Sequence, residues 1–101
     1  MFIYNVTIKV MHEIQEEWLS WLTEEHIPEV LGTGCFTGHR VLRLLETDET
    51  EGVTFAVQYE AESKSLYNHY IDKHASLLRE KSYQKWGDRF IAFRTLMQVV
   101  N

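Results

Sequence analysis

The residues best equipped for chemistry are few: Asn5, His26, Cys35, His69, His74 and Arg94. His74 falls in an apolar run between Ile71 and Leu77. An imidazole there could move a proton if a partner lay within hydrogen-bond reach, and Asn5, Gln58, Tyr59 and Arg94 are the candidates. The plainer role is a core histidine with one hydrogen bond. His26 stands just before Ile27 and Pro28, where an imidazolium would meet the terminal carbonyls of a helix. Arg94 interrupts an otherwise apolar stretch. Desolvating an unpaired guanidinium is costly, so it either pairs with an acid (Glu60 or a partner-chain carboxylate) or holds an anionic ligand group. Cys35, among Gly32, Gly34 and Gly38, could be a nucleophile, but a lone cysteine more commonly packs as a small hydrophobe.

Other chemistries lack their patterns. His69 and His74 are five residues apart, whereas metal ligands on one α-helical face want a spacing of three or four. No Cys-x-x-Cys or His-Glu-x-x-His occurs, and no metal or cofactor is expected. The glycines of Gly32–Gly38 precede a strand, whereas phosphate loops run from strand to helix, so they read as a turn. Glu46, Asp48, Glu49 and Glu51 read as a solvated loop. An RNA-binding reading draws on Phe2–Val6 and on Glu51-Gly52-Val53-Thr54-Phe55, with Tyr59 one place out of register. Half of that motif, on an acidic chain, makes a poor nucleic-acid binder.

These residues must be positioned by regular elements. FIYNVTIKV (Phe2–Val10) alternates with period two and reads as a strand. From His12 the period changes: Ile14, Trp18, Trp21 and Leu22 share one helical face, with Glu13, Glu16 and Glu17 near the positive end of the dipole. Pro28 disfavours helical geometry at Ile27, so the helix is expected to kink or stop near His26, with a short turn over Pro28–Leu31. Strands follow at His39–Glu46 and Val53–Ala61, joined by the hairpin loop Thr47–Gly52. Ser63 is the expected N-cap of a second helix carrying Leu66, Tyr67, Tyr70, Ile71, His74, Leu77 and Leu78 as its stripe. Ser82–Gly87 reads as a connector and Arg89–Val100 as the last strand.

The order β-α-β-β-α-β is the split, ferredoxin-like arrangement: an α+β fold with a four-stranded antiparallel sheet and two helices on one face. The 101 residues form one domain, 45% hydrophobic and 25% charged. A net charge of −5 disfavours phosphate-backbone binding. The single cysteine allows no intramolecular disulfide. Asn5, Thr7 and Lys9 break what could have been a signal-peptide core, and no apolar run is long enough for a membrane span. The expected location is cytoplasmic.

A monomer looks incomplete. One face of such a sheet meets water, so each strand should alternate. The last does not: Phe90, Ala92, Leu96 and Val100 lie on one side and Ile91, Phe93, Met97 and Val99 on the other. It sits at an edge, where exposed apolar strands invite pairing, and the open face is expected to pack on a second copy.

EEHIPEVLGTGCF (Glu24–Phe36) and KWGDRFIAFRT (Lys85–Thr95) resemble a small domain-of-unknown-function family that belongs with the dimeric α+β barrels. The resemblance spans essentially the whole chain. It implies a homodimer whose two sheets close a barrel and implies no activity. More distant dimeric α+β barrels include monooxygenases, haem-degrading enzymes, isomerases and dehydratases, and fold does not choose among them. Haem-degrading members place an asparagine on the first strand and a tryptophan, then a histidine, on the second helix; Asn5 matches, but Tyr70 and Glu80 depart. The expectation is a homodimer that binds a small apolar or aromatic ligand or serves as a structural module. The alternative is a cofactor-independent enzyme of monooxygenase or isomerase type. The ligand pocket would lie between sheet and helices, walled by Trp18, Trp21, Tyr70 and Trp86, with Asn5, His74 and Arg94 as its polar groups.

Overall fold

A computed structural model describes residues 1–101. Strand β1 (Phe2–Met11) leads through a short 3-10 turn, His12–Ile14, into helix α1 (15–31). β2 (Gly38–Arg43) and β3 (Gly52–Ala61) form a hairpin, helix α2 (64–86) follows, and β4 (Phe90–Gln98) closes the chain. The sheet is antiparallel throughout, in the order β2-β3-β1-β4, as the ferredoxin-like arrangement requires. No helix is long and apolar enough to cross a membrane.

Pro28 does not end the first helix. The chain is α-helical over Gln15–Trp21, opens into a π turn over Leu22–His26, and returns to α-helix over Ile27–Leu31 with Pro28 in its first turn. A proline inside an α-helix removes one hydrogen bond and collides with the carbonyl four residues back. The wider π turn directly before Pro28 accommodates both. The second helix repeats the device: Lys64–Tyr70 is α-helical, Ile71–Ala75 a π turn and Ser76–Trp86 α-helical. Residues 82–86, expected as a connector, are therefore helix, and Gly87 ends it at φ 62°. At that dihedral a side chain would be strained, which is why the helix stops at a glycine. Ser63 caps the start, its Oγ accepting from Leu66 N at 3.1 Å.

The register assigns the faces. Tyr4, Val6, Ile8 and Val10 of β1 stand opposite Tyr59, Val57, Phe55 and Val53 of β3, and all eight are buried beneath the helices. Trp18 stacks on Phe55 at 5.6 Å, and Tyr4 lies among Phe36, Tyr59, Tyr67 and Tyr70. The aromatics that an RNA-binding sheet would offer for stacking (Tyr4, Phe55, Tyr59) are thus core residues. The other face carries Leu42, Ile91, Phe93 and Met97, all exposed, beside Thr7 and Lys9. Leu77, expected in the stripe of α2, is exposed. The π turn rotates the last part of the helix, so Ala75 and Trp86 point inward alongside the expected Leu78.

Gly52 opens β3 against β1. A Cβ there would collide with the Val10 carbonyl oxygen, a backbone atom that cannot swing aside. Gly52→Ala is expected to cost about 1–3 kcal/mol, the range for overpacking a filled site. A lowered urea midpoint with unchanged slope would show it, and an unchanged midpoint would refute it.

Candidate functional site

Between the sheet and the two helices runs a cleft lined by 13 hydrophobic residues out of 17. Its floor is Tyr4, Val6, Ile8, Val57 and Tyr59 of the sheet, with Phe90, Ala92 and Arg94 of β4 along one side. Trp18, Trp21, Leu22 and His26 come from α1, and Tyr70, Leu78, Arg79 and Ser82 from α2. Its cavity volume is about 50 Å³, within about 550 Å³ of empty space that includes open solvent.

The polar groups carry one sign. Arg79 and Arg94 both line the cleft, and no aspartate, glutamate or cysteine does. Arg79 Nη2 donates to Tyr4 Oη at 3.2 Å, while its buried Nε has no acceptor. Arg94 stands opposite Val6 on the helix-facing side of edge strand β4 and is exposed at the mouth. Glu60, the acid expected to pair with it, is engaged by Arg40 at 3.5 Å, and no carboxylate lies within ion-pair distance of Arg94 or Arg79. The expected pair of Arg94 with Glu60 is thereby corrected.

His26 is not a helix cap. It lies inside α1 at the end of the π turn, stacked on Trp21 with ring centroids 4.8 Å apart. Burial holds its pKa down, from 6.5 to about 4, with Arg94 adding to the depression and Glu29 opposing it. The imidazole is therefore neutral at pH 7. Burial also pushes the phenols of Tyr59 and Tyr70 above their ordinary range; Tyr70 and Tyr4 add to it at Tyr59, while at Tyr70 the proximity of Tyr4 adds and Arg79 and Arg94 oppose.

Of the residues picked from sequence, Trp18, Trp21, Tyr70 and Arg94 meet in the cleft. Three do not. Asn5 is buried on the opposite, open face of the sheet, donating to Thr7 Oγ1 at 3.0 Å and accepting from Gln58 Nε2 at 3.2 Å. That bridges β1 to β3, and alternation within one strand could not say which side it faced. Trp86 is buried edge-on against Trp21, at 5.8 Å, behind the cleft wall. His74 lies beyond Tyr70, at 6.3 Å between rings, and meets none of its expected partners. Its neighbour is His69, at 5.6 Å. The expectation that a spacing of five keeps these histidines apart is wrong here, because the π turn at Ile71–Ala75 lies between them. Tyr4 and Arg79 went unseen, and Tyr59 was named only as a partner for His74. Arg79 follows Ala75 by four and precedes Ser82 and Trp86 by three and seven, so the corrected stripe would have included it.

A family model described as Domain of unknown function (DUF4286) matches residues 1–100. The chain belongs to this family. None of the curated proteins matches it significantly. Solved structures similar to this member of the family share its fold. Two are dimeric ferredoxin-like proteins from an uncultured marine organism. One has a TM-score of 0.71 at 10% identity over 99% of this chain and 95% of that chain. The other has a TM-score of 0.66 at 19% identity over 100% and 96%. A protein of the ethyl tert-butyl ether d (EthD) family from Bacillus halodurans has a TM-score of 0.67 at 11% identity, over 99% and 100%. The expected ferredoxin-like fold and the resemblance to a domain-of-unknown-function family are both shown.

Proposed function

We propose that this chain is a single-domain cytoplasmic protein that works as a homodimer and binds a small aromatic or apolar carboxylate in the cleft between sheet and helices. One observation carries the ligand's chemistry: two guanidiniums line an apolar cleft that contains no carboxylate, and one keeps a buried Nε–H without an acceptor. A buried N–H without an acceptor is costly, and a ligand carboxylate would accept from such a fork. The cavity volume of the cleft is far smaller than the roughly 150 Å³ that encloses a benzene ring. A bound ring would therefore remain partly open to solvent, against the aromatic lining of the cleft.

Binding is favoured over the alternative, a cofactor-independent enzyme, by what the cleft holds. It offers neither carboxylate nor thiol, and its one imidazole is too weak a base for efficient proton abstraction near neutrality. The dimer is supported by the exposed Leu42, Ile91, Phe93 and Met97 on one sheet face, and by the two structural neighbours described as dimeric. The cytoplasmic assignment rests on a single, buried cysteine and on composition.

Trp18 and Trp21 line the cleft, so their fluorescence reports occupancy. Benzoate is expected to bind at least about tenfold more tightly than neutral benzamide, since hydrogen bonds to charged groups contribute about 1.5–3 kcal/mol. Arg94→Met should remove most of that preference and leave the melting temperature near wild type. Equal affinity for the two probes, or an unchanged preference in Arg94→Met and Arg79→Met alike, would refute the reading.

A further inference from the structure

Across the body of Tyr70 from the cleft, three side chains with metal-ligating atoms converge. Cys35 Sγ and one ring nitrogen each of His69 and His74 all lie within 4.8 Å of one another. They come from two distant parts of the chain. Cys35 sits in the loop after α1, following Gly34 at φ 78°, and its Sγ turns toward the Thr33 carbonyl at 3.8 Å. His69 and His74 flank the π turn of α2. In an α-helix residues five apart diverge, whereas the wider π turn, with hydrogen bonds from i to i+5, returns a residue close to the position five before it. The two imidazoles are thereby brought to the same side of α2 and over the thiol.

We infer that Cys35, His69 and His74 form a zinc site with three protein ligands and one open position. The donor set fits: one thiolate and two neutral imidazoles are ordinary zinc ligands, and three protein ligands leave a fourth tetrahedral position for water. With bonds of about 2.3 Å to sulfur and about 2.0 Å to nitrogen, the ligand atoms of a tetrahedral zinc stand about 3.5 Å apart. Closing on the ion then asks for roughly 1 Å of movement, which exposed His69 and half-buried His74 can supply by side-chain rotation. The buried sulfur is the fixed ligand and exposed His69 is the point of entry. On binding, the Cys35 thiol gives its proton to solvent and the sulfur forms the bond to zinc, with no change in oxidation state. The site shares no ligand with the cleft, so it stands or falls independently of the carboxylate reading.

Cobalt(II) is the probe. Added to the reduced protein, it is expected to bind one ion per chain, with visible bands of tetrahedral intensity and a thiolate-to-cobalt charge-transfer band in the near ultraviolet. Zinc should abolish both by displacement. His69→Gln, at an exposed position, should keep the fold and weaken zinc binding more than tenfold in a competition titration. His74→Gln should do the same, and Cys35→Ser should remove the charge-transfer band. Cobalt bound without that band, wild-type zinc affinity in His69→Gln, or no binding of either ion at tens of micromolar would overturn the assignment.

Discussion

Replacing Phe93 with aspartate is expected to turn a dimer into a monomer: light scattering at micromolar concentration should fall from twice 12.0 kDa to 12.0 kDa, with helix and strand content unchanged. Phe93 is 66% exposed on the open face, opposite Thr7 of β1, and Ile91 two residues earlier is 58% exposed. Long, flat, apolar edge strands are rare on monomers because they invite pairing. A sheet-to-sheet dimer would bury them, on the order of 800 Å² per protomer at the standard interface size. A carboxylate at its centre would lose its water without gaining a partner, which is several kcal/mol of penalty and enough to empty a micromolar dimer. Leu96→Asp is the contrasting variant. Leu96 stands opposite the buried Tyr4 on the helix-facing side, so that change should lower the thermal midpoint rather than the molecular mass. A wild-type protein that scatters as 12.0 kDa would refute the dimer whatever the variants do.

The second large effect is on pH. The folded state holds His26 neutral down to about pH 4, whereas in the unfolded chain it has its ordinary value of 6.5. Between these values the unfolded chain binds the extra proton, so stability must rise with pH across that window and level off above it. Acidification from pH 7 to pH 5 should cost on the order of 2 kcal/mol through this residue, approaching about 3 kcal/mol below pH 4. Urea titrations at the two pH values would measure it. His26→Gln, which keeps a polar group of similar size and cannot titrate, should lose most of that slope. If wild type and variant lose the same stability on acidification, His26 is not the group responsible.

Much of the fold was legible because it rests on local periodicity. Alternation in FIYNVTIKV and in Val53–Ala61 marks the two central strands, and Ser63 marks the start of the second helix by capping chemistry alone, whereas its end at Gly87 was read too early. The doubly apolar pattern of β4 gave away an edge strand with no polar side, which is the basis for expecting a partner. Part of the cleft was legible too: Trp18, Trp21 and Tyr70 lie on helical stripes, and Arg94 is conspicuous within its strand.

What the tertiary structure decided has two physical sources. The first is the relation between faces. Alternation says that Asn5 and Tyr4 point opposite ways, but only the pairing of β1 with β3 beneath the helices puts Tyr4 inside and Asn5 with Gln58 on the open side. The second is the π turn, which a sequence analysis tuned to 3.6 residues per turn does not see. Both helices contain one, and both bring together residues five apart: Trp21 on His26 at the cleft, His69 beside His74 above Cys35. Pro28 explains the first, because its ring cannot follow an unbroken α-helix. No proline accompanies the second, in α2, which packs its buried Tyr70, Ala75, Leu78 and Trp86 on the core from both sides of that turn. Local spacing sets which residues a strand or helix can present together; the depth at which the sheet and helices pack sets which of them actually meet.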